Sequence, residues 1–500
     1  MIERPKPGAI KVQRGNIAVI GVLIALLTVG RLVAVEPIVS LAVIGVLIVI
    51  VAIPAVEHLC VLMFWVLPYM VVNVPTGGLT LKLPEVTAYI FAAAYLIRAV
   101  LRRESIAAPP ATAFVAVFLA VQCLAAIFAP PSPLPFLGGN DGPLDRNTPA
   151  LRPASIIIWL MFSWLVVTAV YNVAGRCPDI FKKCVKAHIL GSAVACLVSL
   201  AIFVSALAGS SVVFIGRSLA VHSGTNVLRL SGVAYEPLFL AFYLLTVIPV
   251  TAVVLLQPPT WMTRKMSGSV LILQLLTLAL TFSAGGWAGL VMSGIILAPL
   301  FCQIKLSRKF VRTISAAVAC LAITTTVVIA ANSDYLKLIQ TTIGKISEGG
   351  DTLRLKERET AYILIQKYPV FGVGPGLGNF LTPKYHPLFN SANLDSSTHE
   401  INNVILNTAA ESGLVGLAAL LVAAFVGFRE LLRPIRRLGL ARLPILAALL
   451  GSLIGCSLQY MSMNPLFLIY LSGLIALACA ASRLAESDPP VDILRISVSS

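Results

Sequence analysis

The sequence predicts an all-α integral membrane protein with about fourteen membrane-spanning helices, twelve to fourteen depending on three boundaries. Both termini are expected in the cytoplasm, with one large extracytoplasmic loop between the eleventh and twelfth spans. Three observations carry this. Of the 500 residues, 58% are hydrophobic and only 12% charged, whereas a soluble domain is about a quarter charged. The charges fall between recurring apolar stretches near the length of about 20 residues that a helix needs to cross a hydrocarbon core of about 30 Å. Finally, Lys and Arg alternate in abundance from one loop to the next. In lipid such stretches must be helical, because each backbone polar group has to find its partner within the segment.

Taken in order, the basic stretch Met1 to Gly15 leads into Ile17–Val35, a signal-anchor span rather than a cleaved leader, since many spans follow it. Then come Ile38–Val56, Leu59–Val74, Glu85–Leu101, Ala111–Pro130, Ala154–Val173 and Ala187–Leu207. Glu236–Leu256, Gly268–Ser283, Gly285–Cys302, Val311–Ala331, Val404–Phe428, Leu443–Gln459 and Asn464–Ala481 complete the set. Leu59–Val74 is short and contains Pro68, Gly268–Cys302 also reads as one kinked helix, and the last pair is separated by very little. With fourteen spans, one set of alternate loops holds 24 Lys and Arg. The short loops and span ends of the other hold six: Arg31, Lys82, Arg146, Arg152, Arg217 and Arg229. The positive-inside rule then puts the richer set in the cytoplasm. The chain reads as one polytopic domain, 1–500, with a 72-residue outward loop at 332–403 and a short cytoplasmic tail at 484–500.

Several function classes are excluded or weakened. The net charge of +16 sits in separate short loops beside spans, which argues against nucleic acid and for anionic headgroups. The nine cysteines are scattered. Cys177 and Cys184, in what reads as a short loop, fit no metal spacing, so small buried hydrophobes are expected. There is no HExxH, histidine pair or carboxylate cluster, so neither a metal nor a cofactor is expected. Glu36, Glu57, His58, Glu85 and Glu236 sit at span ends, which weakens a proton-coupled transporter.

Chemistry is therefore expected in the outward loops. His399, before the helix Val404–Phe428, is a candidate general base. Glu400 adjoins it, and Asn402 or Asn403 could share its helical face. The alternative is a polar helix start capped by Ser397 or Thr398. Arg217, Arg229, Arg354 and Arg358 lie outward against the positive-inside trend. A guanidinium suits phosphate through bidentate hydrogen bonds. The alternative for these is ion pairing with Asp334, Asp351, Glu357 or Glu359. The run Gly372-Val-Gly-Pro-Gly-Leu-Gly378 follows the amphipathic stretch Thr352 to Tyr368 and reads as a Gly/Pro turn.

Four segments together resemble the O-antigen ligase and O-antigen polymerase superfamily. They are Arg229-Leu-Ser-Gly-Val-Ala-Tyr-Glu-Pro237, Thr281-Phe-Ser283, Arg354 to Tyr368 with Pro369 to Gly376, and His399 to Glu411-Ser-Gly413 with Gly416. Two departures stand out. Ala284 occupies the place of the family's arginine after Thr-x-Ser. The family's His-Asn pair falls on Asn402-Asn403, so His399 lies one turn early. The resemblance implies a bacterial inner-membrane, multi-pass glycosyltransferase that needs no metal. Its donor would be an undecaprenyl-pyrophosphate-linked oligosaccharide and its acceptor a glycan hydroxyl. Arg217, Arg229, Arg354 and Arg358 would hold the pyrophosphate, and His399, with Glu400, Asn402 and Asn403, would act on the hydroxyl. It further implies a chain-length regulator and a flippase as partners. Repeat-unit polymerisation is slightly favoured over ligation to a lipid or protein acceptor. The rival from another class is a transporter or flippase of a lipid-linked glycan, for which internal repeats and charges along a central cavity are expected.

Overall fold

The computed structural model describes residues 51–76, 79–130, 151–208, 213–214, 217–218, 220–222, 228–234, 236–303, 352–378, 381, 401–464 and 468–487. The expected spans Ile17–Val35 and Val311–Ala331, and most of Ile38–Val56, lie outside these residues.

The described chain is an α-helical integral membrane protein. Its helices are α1 (Val56–Val66), α2 (Leu83–Leu101), α3 (Thr112–Ile127), α4 (Arg152–Val173), α5 (Pro178–Leu207) and α6 (Pro237–Leu256). They continue with α7 (Arg264–Leu280), α8 (Ala284–Gln303), α9 (Thr352–Lys367), α10 (Val404–Leu438), α11 (Pro444–Gln459) and α12 (Ile469–Glu486). Seven helices are long and apolar enough to cross a membrane: α2, α4, α5, α6, α10, α11 with its extension to Ser462, and α12. Three shorter apolar helices, Ile53–Val66, Thr112–Ile127 and Ala284–Leu300, accompany them. Three small antiparallel ribbons cap the ends: β1 (Asn73–Thr76) with β2 (Leu79–Lys82), β3 (Val213–Phe214) with β4 (Arg217–Ser218), and β5 (Ala220–His222) with β6 (Leu228–Leu230).

Helix α6 is the axis of the bundle, against which α5, α7, α8, α11 and α12 pack. Every residue from Leu240 to Val250 is buried, as expected of a helix that is apolar all round. Some polar groups inside are paired across helices. Gln274 Nε2 on α7 donates to Ser192 Oγ on α5 (2.7 Å) and Thr251 Oγ1 on α6 (3.1 Å). Small residues let helices close up. A Cβ on Gly289 of α8 would stand 2.6 Å from the Gly455 carbonyl oxygen of α11.

The structure revises several boundaries. The expected span Leu59–Val74 is the 11-residue helix α1, which ends before Pro68 and gives way to β1. Proline lacks a donor and its ring clashes one turn back, here at Phe64. At 1.5 Å per residue α1 is roughly 16 Å long, and helical residues 51–55 lead directly into it. Gly268–Cys302 is two helices, broken at Thr281–Ser283, where Phe282 takes φ 49°. Helix α5 starts nine residues before the expected Ala187, with Pro178 in its first turn. Cys184 is therefore helical and buried, its Sγ 3.7 Å from that of Cys60. Fully buried His188 likewise lies well inside α5, its Nε2 3.2 Å from Thr246 Oγ1 and its ring edge-on to Phe64 and Tyr243. The sequence reading missed this ionisable group within a span. Helix α10 runs on past Phe428 to Leu438, and the last helix is Ile469–Glu486 rather than Asn464–Ala481.

The two ends of the bundle differ. At one, Arg176 Nη2 donates to Ser105 O, and Arg483 Nη1 to Tyr171 O and Asn172 Oδ1, so α4, α12 and the segment after α2 are tied together by arginines. At the other, β6, the α7–α8 turn, α9 and the start of α10 converge.

Candidate active site

Arg229 is the first element of the site. It sits on β6 between buried Leu228 and Leu230, so strand alternation turns it to the opposite face. The chain then enters a tight turn at Gly232, φ 51°, where an added Cβ would stand 2.0 Å from Ser199 Oγ. Arg229 Nε donates to Thr281 O (3.1 Å) and Nη2 to Phe282 O (3.4 Å). These carbonyls are available because α7 ends there. Ser283 Oγ then accepts from Gly286 N (3.2 Å) at the start of α8. Two of the segments singled out in the sequence are thus joined through one guanidinium. Burial, then the nearby charge of Arg354, lowers the Arg229 pKa, and Glu236 partly offsets both.

Helix α9 supplies Arg354, Glu357 and Arg358, at i, i+3 and i+4, which places them on one face. Further along the same face the helix is anchored: Ala361 and Leu364 are buried with Val373, Leu377, Leu381, Ile401 and Ala410. The polar face borders a crevice lined by Arg354, Glu357, Arg358, Ile401, Asn402, Asn403 and Met461. The Glu357 carboxylate accepts from Asn402 three ways, from the backbone N (3.2 Å) and from Nδ2 at Oε1 (3.2 Å) and Oε2 (3.3 Å). Only 4% of Glu357 is exposed. Burial of a carboxylate is tolerated where it is this well bonded. Asn403 is the N-cap of α10, its Oδ1 accepting from Ile405 N (3.1 Å) and Leu406 N (3.0 Å), and its Nδ2 reaches Met461 O (3.3 Å).

The glycine run is a structural turn. Gly372, Gly374 and Gly376 have φ of 68°, 102° and 71°, a region that glycine enters without penalty. The run bonds backbone to backbone with α10: Val373 N to Ala410 O (3.0 Å), Gly374 N to Glu411 O (2.8 Å) and Leu414 N to Pro369 O (2.8 Å). Helix α10 opens for this at Gly413, φ 69° and ψ −176°, where a Cβ would stand 2.0 Å from Val370 O. Ser412 Oγ donates to Gln122 Oε1 (2.8 Å), tying α3 to the same point. The Glu411-Ser-Gly413 segment and the glycine run are thus two halves of one joint that positions α9 and Asn402.

Of the candidates read from the sequence, Arg354, Arg358, Asn402 and Asn403 line one crevice, and Arg229 lies close enough to feel the Arg354 charge. Arg217 is in β4, but its side chain, like His399 and Glu400, lies outside the described residues. Ala284 is the first residue of α8 and is exposed. Sequence reasoning missed Glu357, Met461 and the carbonyls of Thr281 and Phe282. Glu357 was expected only as an ion-pair partner for the arginines. Its one signal was the i+3 spacing from Arg354, because its partner Asn402 is 45 residues away. Among the described residues no group of His, Cys, Asp and Glu is arranged to hold a metal ion.

Residues 269–421 match the family model described as O-antigen ligase. The match takes in the α7–α8 turn, α9, the glycine run, Asn402-Asn403 and the joint at Gly413, while Arg217 and Arg229 precede it. No curated protein sequence matches the chain.

Proposed function

We propose that this protein transfers a glycan from an undecaprenyl-pyrophosphate carrier to an acceptor sugar hydroxyl at the outer face of the cytoplasmic membrane. The observation that carries the reading is the placement of Arg354, Arg358, Asn402 and Asn403 around one crevice, with Arg229 near enough to feel the Arg354 charge. Like charges brought together at a partly buried site cost energy in the absence of an anion. A pyrophosphate turns that repulsion into attraction and accepts the guanidinium donors in pairs. As the carrier leaves, negative charge develops on its pyrophosphate, and preorganised cations stabilise this charge. The family match at residues 269–421 supports the same class of chemistry.

In this reading the arginine-tied end of the bundle is cytoplasmic, as the positive-inside bias favours, and the crevice opens outward. The chain has about fourteen spans and both termini in the cytoplasm. His399, Glu400 and Arg217 are expected in the outward loops. Polymerisation of repeat units is favoured over ligation, and a chain-length regulator and a flippase are the expected partners. The arginines argue against the rival transporter, since they gather at one end of the bundle rather than along a channel. The test is transfer by the purified protein in liposomes, with a lipid-pyrophosphate oligosaccharide as donor. Release of lipid pyrophosphate with elongation or ligation of the glycan supports the reading. Passage of intact donor across the bilayer without glycosidic bond formation supports the transporter.

A further inference from the structure

Resting on the transferase reading above, we infer that Glu357 is the base that takes the proton from the acceptor hydroxyl. Among the described residues lining the crevice it is the one carboxylate; Asn402 and Asn403 are amides, and Arg354 and Arg358 are cations. Neither an amide nor a guanidinium accepts a proton near neutral pH. The carboxylate is held in a single orientation by three hydrogen bonds from Asn402, and by a helix anchored through Ala361 and Leu364 in its own apolar cluster. It stands on the same helical face as Arg354, so the group that accepts the proton and the group that holds the leaving pyrophosphate are carried one turn apart on one rigid element. Carboxylates perform this role in inverting sugar transfer to water.

The step balances. The acceptor oxygen attacks the anomeric carbon and forms the new C–O bond. The bond from that carbon to the pyrophosphate oxygen breaks, and its electron pair leaves with the lipid pyrophosphate. The hydroxyl proton passes to a Glu357 oxygen and from there to solvent. Asn402, in this arrangement, is a positioning residue.

The experiment measures transfer, donor binding and the pH–rate profile of the purified full-length protein in liposomes, for the wild type, Glu357→Gln and Glu357→Asp. The inference expects Glu357→Gln to lower turnover at least 100-fold while donor binding changes less than threefold. It expects the acidic limb of the pH profile, where a carboxylate base becomes protonated, to vanish. Glu357→Asp keeps the limb and part of the rate, which guards against a misfolded glutamine variant. Turnover of Glu357→Gln within threefold of wild type overturns the inference, as does loss of the acidic limb in Glu357→Asp. A wild-type protein that binds donor but transfers nothing overturns the transferase reading itself, and the inference with it.

Discussion

At the scale of single residues, the proposed site depends on its arginines. Arg229 donates to two backbone carbonyls and is crowded by the charge of Arg354. Both arginines are therefore expected to matter through charge and through geometry. Arg354→Ala should lower transfer about 100-fold, the scale for losing one preorganised donor to a developing anion. Arg354→Lys should retain more activity, because the charge persists while the bidentate fork is lost. Arg229→Ala should cost more than Arg354→Ala, since it also unties β6 from the α7–α8 turn. Equal rates in all these variants, measured as lipid pyrophosphate released, would contradict the pyrophosphate role. Arg229 and Arg354 were singled out in the sequence because the expected topology places them outward, where cations are rare. Glu357 was not, because its meaning comes from a bond to Asn402 across 45 residues, and no local pattern encodes that contact.

At the scale of elements, the joint between α10 and the glycine run sets where α9 and Asn402 stand. Gly413 allows it by taking φ 69° with Val370 O pressed against its Cα face. Gly413→Ala adds left-handed strain of about 1–2 kcal/mol and an unavoidable clash, so a clear fall in folded yield and thermal midpoint is expected. Gly294→Ala, inside α8 with nothing within 4 Å of its added Cβ, should be neutral or stabilising by up to about 1 kcal/mol. If both glycines tolerate alanine equally in a thermal-shift measurement, the joint is not what holds the site. Asn403→Ala removes the cap of α10 and should cost about 1 kcal/mol, seen as a small drop in the same measurement. The sequence located most helices through their apolar cores, yet it missed the charged extensions. Lys182, Lys183 and Lys186 lie within α5, and Arg429, Arg433, Arg436 and Arg437 within α10. A helix does not end where its hydropathy ends, and only capping residues or proline mark the true stop, as at Pro68.

At the scale of the whole molecule, the bundle is a scaffold that keeps a small polar crevice at one end of an apolar body. Helix α6 is buried all round, and the helices packed on it present their remaining apolar faces to lipid. The fold class was legible because it follows from composition alone. Span count and sidedness rest on loop charge. The proposed transfer, built on arginines and a carboxylate, is expected to survive EDTA in liposomes; loss on chelation with recovery by one added cation would contradict that. The central claim is transfer of a glycan from its lipid pyrophosphate, and the most direct test is the length and amount of glycan on undecaprenyl pyrophosphate in cells lacking this protein. Single repeat units should accumulate there, as expected of a missing polymerase. An unchanged lipid-linked pool, with full-length polysaccharide still delivered to the surface, would contradict it.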